Sequence, residues 1–189
     1  MKKLLSITLT TLLVLFASQA FGQTQDEDNL TASAEVLTAI DVTQVSDLAF
    51  GTLFQGQTAT LEIDGTDGSL NSTNAGQGAS TANLGQFTIS GSEGLEVQIV
   101  FEGDAVNNGF LVGNSTSSEL PFSIDGDDYG RIQDADGADS NFNPSSSQTL
   151  DLGAGDVTIL LGGEVTADAT QDEDVYEGTV TLNANYTGF

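Results

Sequence analysis

Tyr176-Glu177-Gly178-Thr179-Val180-Thr181-Leu182-Asn183-Ala184-Asn185-Tyr186 alternates from end to end. Its even positions are apolar or Gly, and its odd positions are Glu, Thr or Asn. Successive side chains on a strand point to opposite faces, so this segment offers one face to a core and the other to water. The same period recurs upstream. Leu30, Ala32, Ala34 and Val36 alternate, and after a break at Thr38 the period returns with Ile40 and Val42. These residues predict a first strand, or two short ones.

Leu48, Phe50 and Phe54 follow around Gly51, and further strands are expected at Ala59–Ile63, Phe87–Ile89 and Leu95–Phe101. Others are expected at Phe110–Val112, Leu120–Ile124, Leu150–Leu152 and Val157–Leu161, where Gly162-Gly163 turns the chain towards Val165. Gly, Asn and Asp punctuate the gaps. Two stretches, Ser69–Asn83 and Asp125–Ser147, are polar and read as loop excursions, and Gln23–Asn29 reads as a mobile acidic tail. No segment beyond the leader has the 3.6-residue period of a capped helix. The pattern predicts an all-β, immunoglobulin-like antiparallel β-sandwich of roughly nine or ten short strands.

Residues 1–22 read as an export signal. Lys2 and Lys3 precede the apolar run Leu4–Phe16, and Ala20-Phe21-Gly22 has the small-x-small form of a cleavage site. The apolar run is too short for a membrane span. Cleavage there leaves one domain, Gln23–Phe189, in the periplasm, at the cell surface or outside the cell. Arg131 is then its only basic residue against 28 acidic ones, a formal charge of 1 minus 28, or −27. Such a field repels nucleic acid and anionic lipid and strains the compact state, a strain that salt relieves. It suits a saline medium.

Catalytic residue types are scarce. With no His and no Cys, neither a Ser-His-Asp nor a Cys-His arrangement exists, nor a His or Cys zinc site. The absence of Cys leaves no disulfide, and the absence of Lys after the leader excludes Lys–Asn isopeptide links. Carboxylates abound, but they sit in Gly-bearing turns where no pair stands out for glycoside chemistry. We therefore expect no enzyme, and assign no catalytic, cofactor or metal residue. The nearest to a cation site is Asp125-Gly126-Asp127-Asp128 with Asp134-Ala135-Asp136-Gly137-Ala138-Asp139. Carboxylates in a Gly loop suit Ca²⁺. The EF-hand spacing fails, because counting from Asp134 puts Ala138 fifth and Ser145 twelfth.

An outer-membrane barrel is the competing all-β solution. Counting back from Phe189 by twos gives Thr187, Asn185, Asn183 and Thr181, a polar face where a barrel needs a greasy one. Three Tyr and no Trp are too few for two aromatic girdles. The sandwich is preferred.

Several pieces, in order, carry a family likeness. Thr31-Ala32-Ser33-Ala34-Glu35-Val36, Ile40-Asp41-Val42 and Asp47-Leu48-Ala49-Phe50-Gly51-Thr52-Leu53 resemble the opening of the bacterial domain of unknown function 4402 (DUF4402). Gln86-Phe87-Thr88-Ile89-Ser90-Gly91 with Leu95–Phe101 is similar to its Phe-Thr-Val-x-Gly hairpin. Leu150–Val165 and Tyr176–Tyr186 resemble its closing strands. The acidic insert Asp125–Asp139 and the tail Thr187-Gly188-Phe189 depart from the pattern. The family's sequences resemble pilin-like, fimbrial subunits of Gram-negative bacteria. The resemblance implies an exported structural or adhesive surface protein, a fimbrial subunit assembling by strand addition, with self-association or a periplasmic chaperone and usher as partners. Leu30–Val36 is then either a donated strand or an ordinary first strand of its own domain. The alternative is a soluble or surface-attached module that binds glycan, or Ca²⁺ weakly, through the Ser69–Asn83 and Asp125–Ser147 loops.

Overall fold

The computed structural model describes residues 28–66, 68–71, 81–134, 139–153 and 155–188. The proposed leader and most of the Ser69–Asn83 excursion lie outside them. The chain divides into an N-terminal unit, Met1–Val36, and a body, Leu37–Phe189.

The body is all-β. Its strands are β1 (Asp41–Ser46), β2 (Thr58–Ile63), β3 (Leu70–Asn71), β4 (Gly85–Ser90) and β5 (Leu95–Glu102). Then come β6 (Phe110–Gly113), β7 (Glu119–Ser123), β8 (Gly130–Gln133), β9 (Ser140–Phe142) and β10 (Gln148–Leu152). The last are β11 (Val157–Leu161), β12 (Gly163–Thr166), β13 (Tyr176–Glu177) and β14 (Thr181–Tyr186). One short helix, α1 (Asp104–Asn108), sits between β5 and β6, where the sequence suggested only a turn. Its acid-first, Gly-last make-up fits so brief a helix, with Gly109 left-handed at its end.

Three antiparallel sheets result, ordered β1-β4-β11-β8-β9, β10-β5-β14 and β13-β6-β7-β12-β2-β3. All are open-edged in the described residues, so the arrangement is a sandwich rather than a closed barrel. Alternation decides which side chains go in. On β5, Val97, Ile99 and Phe101 are buried while Glu96, Gln98 and Glu102 are exposed. Ile89, Val157 and Ile159 from the first sheet join one core with Val97, Ile99, Leu152 and Leu182 from the second. Ala59, Leu61, Phe122 and Val165 complete it from the third. Burying a side chain of this size contributes about 1.5–3 kcal/mol, so this cluster is the main stabilising feature of a chain without covalent staples.

Gly162 lets the chain cross from the first sheet to the third between β11 and β12. A Cβ there would stand 2.0 Å from the Leu61 carbonyl oxygen, so the crossing is closed to any other residue.

Four expectations need correction. Leu30–Val36 forms no strand, and all seven residues are exposed. Its alternation marks an amphipathic segment, but periodicity cannot supply a partner ladder. The Asp125–Ser147 excursion contains β8 and β9, which pair with each other and, through β8, with β11. The polar residues there hid the buried Gly130, Ile132 and Phe142. Tyr176–Tyr186 is two strands in two sheets, β13 against β6 and β14 against β5. The break falls at Gly178, where a Cβ would meet Ala105 Cβ at 2.8 Å. Finally, the described residues form fourteen strands rather than nine or ten, since several are only two to four residues long.

Candidate functional site

Between β1 and the closing segment the sandwich is not sealed. β1 pairs only with β4, and β14 only with β5, among the described residues. The stretch from Thr38 to Gln55 runs antiparallel to the stretch from Tyr186 back to Gln171, and side chains join the two at both ends. At one end the Tyr186 hydroxyl donates to the Thr38 carbonyl (2.8 Å) and accepts from the Ser92 N–H (2.6 Å). At the other, Gln55 Nε2 donates to the Gln171 carbonyl and the Gly56 N–H to Asp168 (3.0 Å). Between these ties lies a slot of about 1450 Å³, walled by Gln44–Gln55 on one side and Gln171–Val180 on the other.

The slot is layered. Its floor is core: Phe50, packed edge-on to Phe122 at 6.0 Å, with Leu120, Leu161 and Val165. Half-buried Leu48, Leu53, Phe87, Leu111 and Val180 form the walls. Phe54 (57% exposed) and Val175 (63%) stand at the mouth.

Hydrogen bonds hold the Gln171–Val180 wall, since only its Tyr176–Glu177 segment forms a ladder. The Asp174 carboxylate accepts from the Ser115 and Thr116 N–H groups, the Thr116 hydroxyl and the Val175 N–H, each at 2.8 Å. These donors, the Thr116 N–H foremost, hold its pKa well below the ordinary carboxylate value. The Tyr176 hydroxyl accepts from Gln171 Nε2 (2.7 Å) and donates to the Asp172 carbonyl (2.8 Å). Further on, Asp104 caps both the Thr179 and Ala105 N–H groups, and the Thr179 N–H is the main reason its pKa is lowered.

The acidic loop candidates do not converge. Asp125 accepts from Asn143 Nδ2 (2.7 Å) and Ser145 Oγ (3.1 Å). Asp128 accepts from Asn141 Nδ2 (3.1 Å). Asp139 pairs with the buried Arg131 at 3.1 Å, which spends its charge on the one basic residue of the body. Asp136 lies outside the described residues. Among the described residues no three carboxylates are placed to hold a metal ion. Sequence reading missed Arg131 as a structural centre: it is 2% exposed and donates to the Gly65 backbone carbonyl and the Asn141 side-chain Oδ1. The available signal was a lone cation between Gly130 and Ile132 in a chain whose other two cations, Lys2 and Lys3, lie in the proposed leader.

The described residues thus form an all-β, open-edged antiparallel sandwich with a slot beside β1. The chain belongs to the family described as Domain of unknown function (DUF4402), whose model matches residues 40–186. The match spans β1 to β14 and leaves out Leu30–Val36. No curated protein matches the chain.

Proposed function

We propose that this is an exported structural or adhesive surface protein whose copies assemble into a fibre by adding a strand from one to the next, with a periplasmic chaperone and usher as the expected assembly partners. The carrying observation is the N-terminal segment. Leu30, Ala32, Ala34 and Val36 keep strand alternation, yet the segment forms no strand, and Leu30 and Val36 are 96% and 93% exposed. An unpartnered alternating segment is suited to strand addition, in which backbone bonds give affinity and alternate side chains give register. Unpaired edges on the body supply templates for it. No helix among the described residues is long and apolar enough to cross a membrane.

Light scattering on purified Gln23–Phe189 tests this in ~1 M NaCl, where the Debye length falls to ~3 Å and the copies no longer repel at a distance. The expected result is concentration-dependent oligomers that vanish when residues 23–36 are deleted. A monomer at every concentration, or oligomers indifferent to the deletion, would refute the reading.

A further inference from the structure

We propose that the acceptor is the slot between Gln44–Gln55 and Gln171–Val180, and that its occupant is Leu30–Val36 of a second copy. This rests on the strand-addition reading and adds the place where addition happens. Three observations select the slot over the other sheet edges. Its volume, about 1450 Å³, exceeds the ~300–1,000 Å³ of a small-molecule cleft, which points to a peptide. It joins an unpaired strand edge, that of β1, to an apolar interior. An incoming strand there finds both backbone partners and a face for its alternate side chains. Moreover, of the six exposed large apolar side chains among the described residues, Leu30 and Val36 lie on the segment and Phe54 and Val175 at the mouth, while Val45 on β1 and Val112 on β6 lie outside the lining.

Alternation fixes the pose. Leu30, Ala32, Ala34 and Val36 turn inward, and Thr31, Ser33 and Glu35 turn out. The two Ala suit a slot already lined by the large side chains of Phe87 and Leu111. Charge sets the conditions. Asp47, Asp104, Asp172, Glu173, Asp174 and Glu177 stand around the slot, while Leu30–Val36 carries only Glu35 and the run Asp26-Glu27-Asp28 lies just before it. Docking therefore needs salt, and tightens in Glu35→Gln.

The chain has no Cys, so single thiols report contacts without background. Full-length Ala34→Cys is mixed in high salt with Val175→Cys, or with Thr149→Cys on the β10 edge, and a short bis-maleimide is added. The expected product is a heterodimer with Val175→Cys and none with Thr149→Cys. Oligomers that cross-link only through Thr149→Cys put the acceptor elsewhere and overturn this inference, while the fibre reading stands. No oligomer at all overturns both. An Ala34→Cys/Val175→Cys double variant that closes on itself at high dilution assigns the slot to the chain's own tail, and also overturns it. Phe54→Ser is a second test at an exposed position that folding does not depend on. It is expected to weaken association about tenfold, the equivalent of ~1.4 kcal/mol of lost burial. Unchanged association counts against the slot.

Discussion

Leu30–Val36 and Tyr176–Tyr186 share one binary pattern and meet opposite fates. The closing segment is built into two sheets and buries Leu182. The N-terminal one is bare. Magnitudes explain the difference. Fixing seven residues costs ~7–14 kcal/mol in backbone entropy. Burying Leu30 and Val36 returns ~3–6 kcal/mol, and two Ala add little. The segment is ordered only where a strand edge adds ladder bonds along its length. Tyr176–Tyr186 has larger apolar residues, ladder partners in β6 and β5, and polar ties at each end. Amphipathic period thus states what a segment can bury, and partner availability decides whether it does.

The largest test of that contrast is a matched pair of truncations. Leu182→Ala empties a site in the shared core, and is expected to cost about 2–5 kcal/mol. Leu30→Ala in dilute monomer is expected to stay within about 0.5 kcal/mol. Urea unfolding followed by circular dichroism measures both. Equal losses would show that the N-terminal segment is already packed in the monomer, and would erase the distinction.

Periodicity made the core legible because each inward residue had a large apolar neighbour two positions away: Val97, Ile99 and Phe101 on β5 were read as they lie. Where the inward positions are small or charged, the same reading fails. Gly130 and Arg131 are both buried in β8, and neither carries a hydrophobic signal. The slot was illegible for another reason. It arises from what two distant stretches fail to do, and a missing ladder between β1 and β14 leaves no mark in either sequence. Only its ingredients were visible: Phe54, read among the apolar positions around Gly51, is exposed at the mouth. Asp174 looked like any residue of an acidic loop, since its donors at Ser115 and Thr116 lie 59 and 58 positions away.

A smaller effect is expected at Tyr186, which ties the far end of the closing segment. Tyr186→Phe keeps the ring and removes the hydroxyl that links Thr38 to Ser92. The expected loss is about 0.5–1.5 kcal/mol, with faster amide exchange at Ser92 as its local signature. If exchange there is unchanged, the tie does not hold that end of the slot and the wall is positioned by β14 alone.

The near end is tied by Asp174, and there the expected effect is smallest and depends on pH. Its carboxylate is solvent-exposed, so salt and water screen its charge, but its four donors favour the ionised form and depress its pKa below the ordinary 3.8. A group whose folded pKa is depressed adds stability above its unfolded pKa and loses it as pH falls through the folded value. Native protein is therefore expected to melt above Asp174→Asn near neutrality, and the gap should narrow as pH drops below about 4. Asp104 and Asp125 are shifted the same way, so the raw acid slope reports all three, and only the difference between the two proteins isolates Asp174. A gap that stays constant with pH would mean that the amide replaces the carboxylate as acceptor without regard to charge. The wall beside the slot would then be held by hydrogen-bond geometry, and its acidity would matter only through repulsion of the incoming copy.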